Sequence, residues 1–306
     1  DGNNYIISGF LYSDGFNVDL AELIGILWSY KRSIIGFSTL VFLSSIIIAL
    51  SLTEYYRSES ILITRDSQDA SGLSQYSGLA SLAGVSIPGS GGNVSAEMIA
   101  VIKSRQFTNH LLQFEDVLPS IMASKSYDKK TQQIQYDSDI YDSETKEWIT
   151  KPSYLKAHKK ILRDVLNITE DKLTGFITIR VEHLSPVFAK EFLTLIITEA
   201  NNLKRKKDIE SSEKALSYLK MELSKTSLIE IKESISQLIE AQLERKMMAN
   251  IHEEYTLTTA EPPFIPEDKS KPSRSLIIFL TTFFGVMFCT GIILVKHFYF
   301  SKQTTP

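Results

Sequence analysis

Two uncharged apolar runs, one near each end of the chain, limit what this sequence can fold into more than any other feature. The first is Ser33 to Leu52 (SIIGFSTLVFLSSIIIALSL) and the second Ser275 to Val295 (SLIIFLTTFFGVMFCTGIILV). About 20 residues of helix cover about 30 Å, the hydrocarbon thickness of a bilayer. A helix that is apolar on every face for five turns has no side to offer to water, so both runs are expected to be transmembrane helices. Residues 1–32 precede the first run, which is longer than the apolar core of a secretory signal. An uncleaved anchor is therefore expected.

Flanking charge sets the expected orientation. Lys31 and Arg32 abut the outer end of the first run, and Lys296 and Lys302 follow the second. Basic residues in short tails stay on the cytoplasmic side, which places the tails 1–32 and 296–306 in the cytoplasm and Thr53 to Arg274 outside it. Lys269, Lys271 and Arg274 argue the other way, but a segment this long translocates largely regardless of its charge. Composition excludes several classes. Hydrophobic residues at 43% and charged residues at 23% fit a folded chain rather than a disordered one. A net charge of −3 lacks the basic excess of a nucleic-acid binder, so no nucleic-acid partner is expected. The single cysteine, Cys289, rules out an internal disulfide and a Cys-rich zinc site.

Between the runs, Tyr55 to Thr64 (YYRSESILIT) is rich in β-formers and reads as a strand. Ser71 to Gly92 is Gly/Ser-rich and reads as a loop. Ser95 reads as the N-cap of one amphipathic helix through AEMIAVIKSRQFTNHLLQF, with Met98, Ile102, Phe107 and Leu111 near one face. Ser124 to Trp148 shows no period and reads as a loop, and a helix is expected over Ser153 to Val165, after Pro152. Phe176 to Val181 (FITIRV) alternates strictly as a strand. Ser185-Pro186 is a strong helix start, and a helical pattern then runs to about Ile251 without Gly or Pro. Lys225-Thr226-Ser227 breaks its phase, so two long helices joined by a tight turn are expected across about 185–251. Tyr255 to Thr259 reads as a final strand, and Pro262, Pro263, Pro266 and Pro272 form a stiff connector over 262–272.

Catalytic chemistry is sparse. There is no Gly-Lys pair and hence no Walker-type phosphate loop. The five histidines (His110, His158, His183, His252, His297) form no ligand pair. Asp137-Ser138-Asp139 has the DxD form of some metal-dependent sugar transferases, with Asp142 and Glu144 nearby, but reads as a solvated loop of carboxylates. No catalytic, metal or cofactor residue is therefore assigned, and no enzyme activity is expected. Lys204-Arg205-Lys206-Lys207 points around a helix, as a solvated stretch or as a contact for an anionic glycan or a neighbouring subunit. Leu228, Ile231, Ile235 and Leu238 form a heptad-like stripe that packs within a helical pair or, in addition, between subunits. In the second run Gly285, Cys289 and Gly291, and in the first Ser45 and Ala49, are small residues whose spacing permits close helix approach.

In their order around two membrane runs, several elements resemble the chain-length determinant (Wzz-type) family of bacterial polysaccharide co-polymerases. They are Val18-Asp19-Leu20-Ala21-Glu22-Leu23 before the basic pair, SGLASLAGVS (Ser77 to Ser86) and IKSRQF (Ile102 to Phe107). Pro263, Pro266, Pro272-Ser273-Arg274 and the glycines of the second run complete the set. The resemblance implies an α+β membrane protein of the bacterial inner membrane, with two transmembrane helices flanking a periplasmic α/β base domain and a long protruding helical hairpin. It also implies ring-like homo-oligomers that act with a membrane O-antigen polymerase on a lipid-linked polysaccharide and set the modal length of lipopolysaccharide O-antigen or a related glycan. Some relatives carry a cytoplasmic tyrosine kinase domain, for which the tail 296–306 has no room. That favours O-antigen, with capsule or exopolysaccharide export through a separate kinase as the alternative. A membrane-anchored glycan-binding sensor is the competing class, but tails this short leave no space for an output module.

Overall fold

The computed structural model describes residues 25, 27–64 and 94–301, the last five of these by backbone only. The expected Gly/Ser-rich loop, the VDLAEL segment and SGLASLAGVS lie outside the described residues. Along the chain come α1 (Lys31–Ser51), β1 (Tyr55–Thr64), α2 (Val94–Ile102), α3 (Arg105–Leu111) and α4 (Val117–Met122). Four short strands follow, β2 (Ser124–Asp128), β3 (Gln133–Tyr136), β4 (Tyr141–Asp142) and β5 (Glu147–Trp148). Then come α5 (Tyr154–Lys160), β6 (Leu166–Glu170) and β7 (Ile177–His183). Two long helices, α6 (Pro186–Lys225) and α7 (Ile229–Ile251), lead to β8 (Leu257–Glu261), β9 (Lys269–Lys271) and α8 (Arg274–Ser301). The chain divides into two compact units, Asp1–Leu52 with Pro272–Pro306, and Thr53–Lys271.

In the first unit α1 and α8 pack on each other, and both are long and apolar enough to cross a membrane. Their large side chains, Ile35, Leu40, Phe279 and Phe288 among them, stay exposed, as an apolar solvent would require. Several hydroxyls in these helices are satisfied locally. Ser38, Thr39, Ser44 and Ser51 donate to carbonyls four residues back, as does Thr282. In a bilayer core no water is present to take those bonds, so back-bonding is what makes the residues tolerable.

The second unit is built on an antiparallel sheet of order β6-β7-β1-β8, with β9 also on β1. One sheet face is apolar because Ile177, Ile179 and Val181 alternate along β7, all fully buried. The first turns of α6 cover that face with Phe188, Phe192, Leu193, Ile196 and Ile197. Each such side chain removed from water contributes roughly 1.5–3 kcal/mol. The expected N-cap at Ser185 is present: its Oγ accepts from Phe188 N–H, with Pro186 in the first turn. At 40 residues α6 is about 60 Å long. Beyond Asn201 only Ser212 and Leu216 are buried on it, and there its main packing partner is α7. The two helices pack on each other, tied by Lys246 Nζ to Glu213 Oε1 at 2.7 Å, and just after α7 Tyr255 Oη donates to Asp208 Oδ2 at 3.1 Å.

The structure corrects two expectations in this unit. The single helix after Ser95 is two helices, broken at Lys103 and Ser104, and Ser104 is the N-cap, its Oγ accepting from Phe107 N–H. Ser95 instead lies inside α2, buried, its hydroxyl against Thr64 Oγ1 and Gly175 O. The loop over Ser124 to Trp148 contains two hairpins, β2–β3 and β4–β5. The helix expected over Ser153 to Val165 is present, but its last turn, Ile161–Val165, widens into a π-helical turn in which Leu166 N–H reaches back to Ile161 O. The proline connector has a local reason. β8 and β9 dock in succession on the same edge of β1, and between them Pro262 and Pro263 have no N–H to offer. Hydroxyls from the strand take over, Ser58 Oγ donating to Phe264 O and Ser60 Oγ to Glu261 O, both at 2.7 Å.

Candidate functional surfaces

The acidic loop has structural employment. Asp137 Oδ1 accepts from Asp139 N–H and Asp142 Oδ1 from Glu144 N–H, so each closes a turn. The backbone N–H groups of Glu144 and Thr145 hold the Asp142 carboxyl below its usual range. Among the described residues, no three His, Cys, Asp or Glu side chains converge as a metal site. Of the described histidines, His110 meets Glu199 at 2.6 Å and His158 Nδ1 meets Thr108 Oγ1 at 2.8 Å. His183 is buried in the core, where Nδ1 accepts from Ser185 N–H and Nε2 therefore donates to Ser120 O. Burial, and secondarily the nearby Lys160 ammonium, push its pKa down to about 4.

The basic run on α6 is bound into the fold. Lys204 Nζ donates to Glu97 Oε1 at 3.1 Å and lies 3.3 Å from Asp208 Oδ1. Arg205 reaches Asn202 Oδ1 and the His252 carbonyl. Of the stripe on α7, Ile235 is buried (7% exposed), whereas Leu228 precedes the helix at 63% exposed and Ile231 and Leu238 are also exposed. Leu228 therefore does not sit in an internal seam: the chain is still extended there, and α7 begins one residue later. The pairing of α6 and α7 leaves Ile231, Leu238, Leu243 and Met247 uncovered.

Among the small residues, Gly285 sits at a close contact between α1 and α8. A Cβ there would lie 2.7 Å from Val41 Cγ1, and Ser45 and Ala49 on α1 are buried. Cys289 is partly exposed. Gly291 faces open space in an apolar dent lined by Phe288 and Ile292. Gly285→Ala is expected to force the stiff, β-branched Val41 and its helix away, at a cost of about 1–2 kcal/mol, while Gly291→Ala costs nothing. Melting of the two variants in detergent checks this; equal melting temperatures would remove the close contact. Of the prolines, Pro266 is buried and Pro263 and Pro272 are half-buried.

The outer face of the sheet carries a charge lattice that sequence reading missed. Register sets Arg57 opposite Glu182 and Glu59 opposite Arg180. Arg57 donates from Nε and Nη2 to Glu182 Oε1, and Lys271 Nζ takes Glu182 Oε2 at 2.5 Å. Arg180 Nε donates to Glu59 Oε2 at 2.5 Å. Beyond this lattice Glu54 receives Lys129 and Lys269, whose ammonium groups hold its carboxyl down to about 2.

Residues 17–114 match the family model described as Wzz, chain length determinant protein. No curated protein matches the chain. Among solved structures, a full-length bacterial polysaccharide co-polymerase is similar at 13% identity and a TM-score of 0.40, over 94% of this chain and 100% of that one. The family model takes in the segment before the first apolar run, that run itself, β1 and the IKSRQF break between α2 and α3, about a third of the chain, and over these residues the protein is similar to the Wzz-type chain-length determinant family.

Proposed function

We propose that this protein is a non-enzymatic regulator of the modal chain length of lipopolysaccharide O-antigen or a related lipid-linked surface polysaccharide. In this reading α1 and α8 cross the bacterial inner membrane, both tails are cytoplasmic and Thr53 to Arg274 is periplasmic. The α6–α7 pair is the protruding hairpin, and copies of the chain assemble as ring-like homo-oligomers that organise a membrane polymerase. The observation that carries the reading is the family match across the first span and β1. The uncovered apolar side chains of α7 support assembly, and the turn-closing roles of Asp137 and Asp142 support a scaffold rather than a transferase.

The test is a deletion strain whose surface glycan is sized on a gel. Deletion is expected to abolish the preferred length while polymer is still made, and the wild-type gene or Asp137→Ala to restore it. Ile235→Asp is expected to fail, because a carboxylate forced into the buried α6–α7 seam costs several kcal/mol, about the price of an unpaired buried charge. Leu228→Asp separates assembly from folding: at an exposed site it leaves the melting temperature unchanged, and any lost length control then comes with smaller particles in light scattering. Loss of all polymer in Asp137→Ala would revive an enzymatic reading.

A further inference from the structure

The lattice on the outer sheet face forms one wall of a groove of about 680 Å³, closed on another side by the π-helical turn after α5. Widened turns of this kind are rare and recur at functional sites. Every carboxylate in the groove is already engaged. Glu182 holds Arg57 and Lys271, Glu59 holds Arg180, and both Asp164 oxygens are taken by Arg163 at 2.7 Å. One cation is left over. Lys160, at the start of the widened turn, lines the groove with no hydrogen bond or ion pair among the described residues. Half-buried beside Arg163, it has its ammonium pKa pushed down by burial, against the pull of the occupied Asp164. An uncompensated cation held in this way destabilises the fold unless an anion arrives to meet it.

The groove is too large for a bare ion and falls in the size range of small-ligand sites. Its walls offer more than charge. The half-exposed ring of Tyr55 presents a flat apolar face, and Asn167 supplies a donor and an acceptor. The guanidiniums of Arg57 and Arg180 are held in place by their carboxylates and keep further N–H groups for hydroxyls. We propose that this groove binds an anionic sugar residue of a glycan, its acid group paired with Lys160 and its hydroxyls with the Arg/Glu lattice. The sugar identity of the ligand rests on the glycan function proposed above; the unmatched positive charge does not.

The probe is trigalacturonate, titrated calorimetrically into full-length protein in detergent, beside maltotriose and inorganic phosphate. Wild type is expected to bind trigalacturonate at least about tenfold more tightly than maltotriose or phosphate, and less tightly as salt screens the charge. Lys160→Met is expected to weaken binding by about tenfold or more, and Lys160→Arg by no more than about threefold. Lys160→Met should also melt at or above the wild-type temperature, since it removes an unpaired, half-buried charge, which separates lost binding from lost folding. Undiminished binding by Lys160→Met, a lower melting temperature for it, no trigalacturonate binding at all, or phosphate binding as tight as trigalacturonate would each overturn the proposal. If wild type binds no trigalacturonate but restores the preferred glycan length in the deletion strain, the groove fails and the chain-length reading stands. If deletion leaves the length distribution unchanged, the chain-length reading fails whatever the calorimetry gives.

Discussion

Replacing Asn201 by leucine is expected to cost about 4 kcal/mol and to lower the melting temperature by roughly 10 °C. Asn201 is buried on α6, where its Oδ1 accepts from Thr256 N–H at 2.9 Å and Leu257 N–H at 2.8 Å. Its Nδ2 donates to Leu257 O at 2.9 Å. One side chain thus satisfies three backbone groups where the chain leaves α7 and begins β8. Leucine fills similar space and leaves all three groups buried and unmet. Asn201→Asp keeps both acceptor bonds but sets a buried carboxylate against Leu257 O, so it should cost less than leucine only in acid, where the carboxyl is protonated and can donate. Denaturation of the full-length protein in detergent checks the order; a leucine variant melting within about 2 °C of wild type would mean that water meets those groups instead.

Acid should destabilise the protein well before its carboxylates protonate. His183, ordinarily titrating near 6.5, is held near 4 by burial, and Ser185 N–H occupies the nitrogen that a proton would need. Above pH 6.5 the ring is neutral whether the chain is folded or unfolded, and the stability is fully present. As pH falls from 6.5 toward 4, the unfolded chain takes up a proton that the folded one refuses. Stability therefore drops by as much as about 1.4 kcal/mol per pH unit and by about 3 kcal/mol in all. Melting curves between pH 7.5 and pH 4.5, above the range in which Glu54 loses its lysine partners, isolate the effect. His183→Gln, whose amide can still donate to Ser120 O, should start less stable and show a flatter pH slope; a slope equal to wild type would place the acid sensitivity elsewhere.

The elements that could be read in the sequence are those whose signal is local and periodic. Both spans, β1, the alternation of β7, the Ser185-Pro186 start and the phase break near Thr226 all appear where their residues indicate. The split between α2 and α3 was available as well, because Ile102 and Phe107 are five apart and so break the helical spacing, with Ser104 three residues before Phe107. The two small hairpins were hidden for a different reason. Their turns place Gln132 and Lys146 in the left-handed region, φ 55 and 56, where sequence reading looks for glycine or asparagine. The charge lattice could not be read along either strand alone. Arg57-Ser58-Glu59 and Arg180-Val181-Glu182 match only when set antiparallel in the right register, and the sequence does not print register. Lys204 likewise looked solvated because its partner Glu97 is 107 positions away.

The edge of β1 has one more consequence. Tyr55 pairs directly with Lys271, so the second unit begins and ends on neighbouring strands about 5 Å apart. Arg274 Nε likewise donates to Ala49 O at 3.1 Å, so in the first unit the two chain ends that lead outward are also neighbours. Each unit therefore closes on itself at one seam, and Thr53–Lys271 is in covalent terms a long insertion into what a short turn could join. Domains with adjacent termini can be exchanged without disturbing their host. Chimaeras spliced at Leu52–Thr53 and Lys271–Pro272 should fold, and the apolar helix pair of one relative could carry the intervening domain of another.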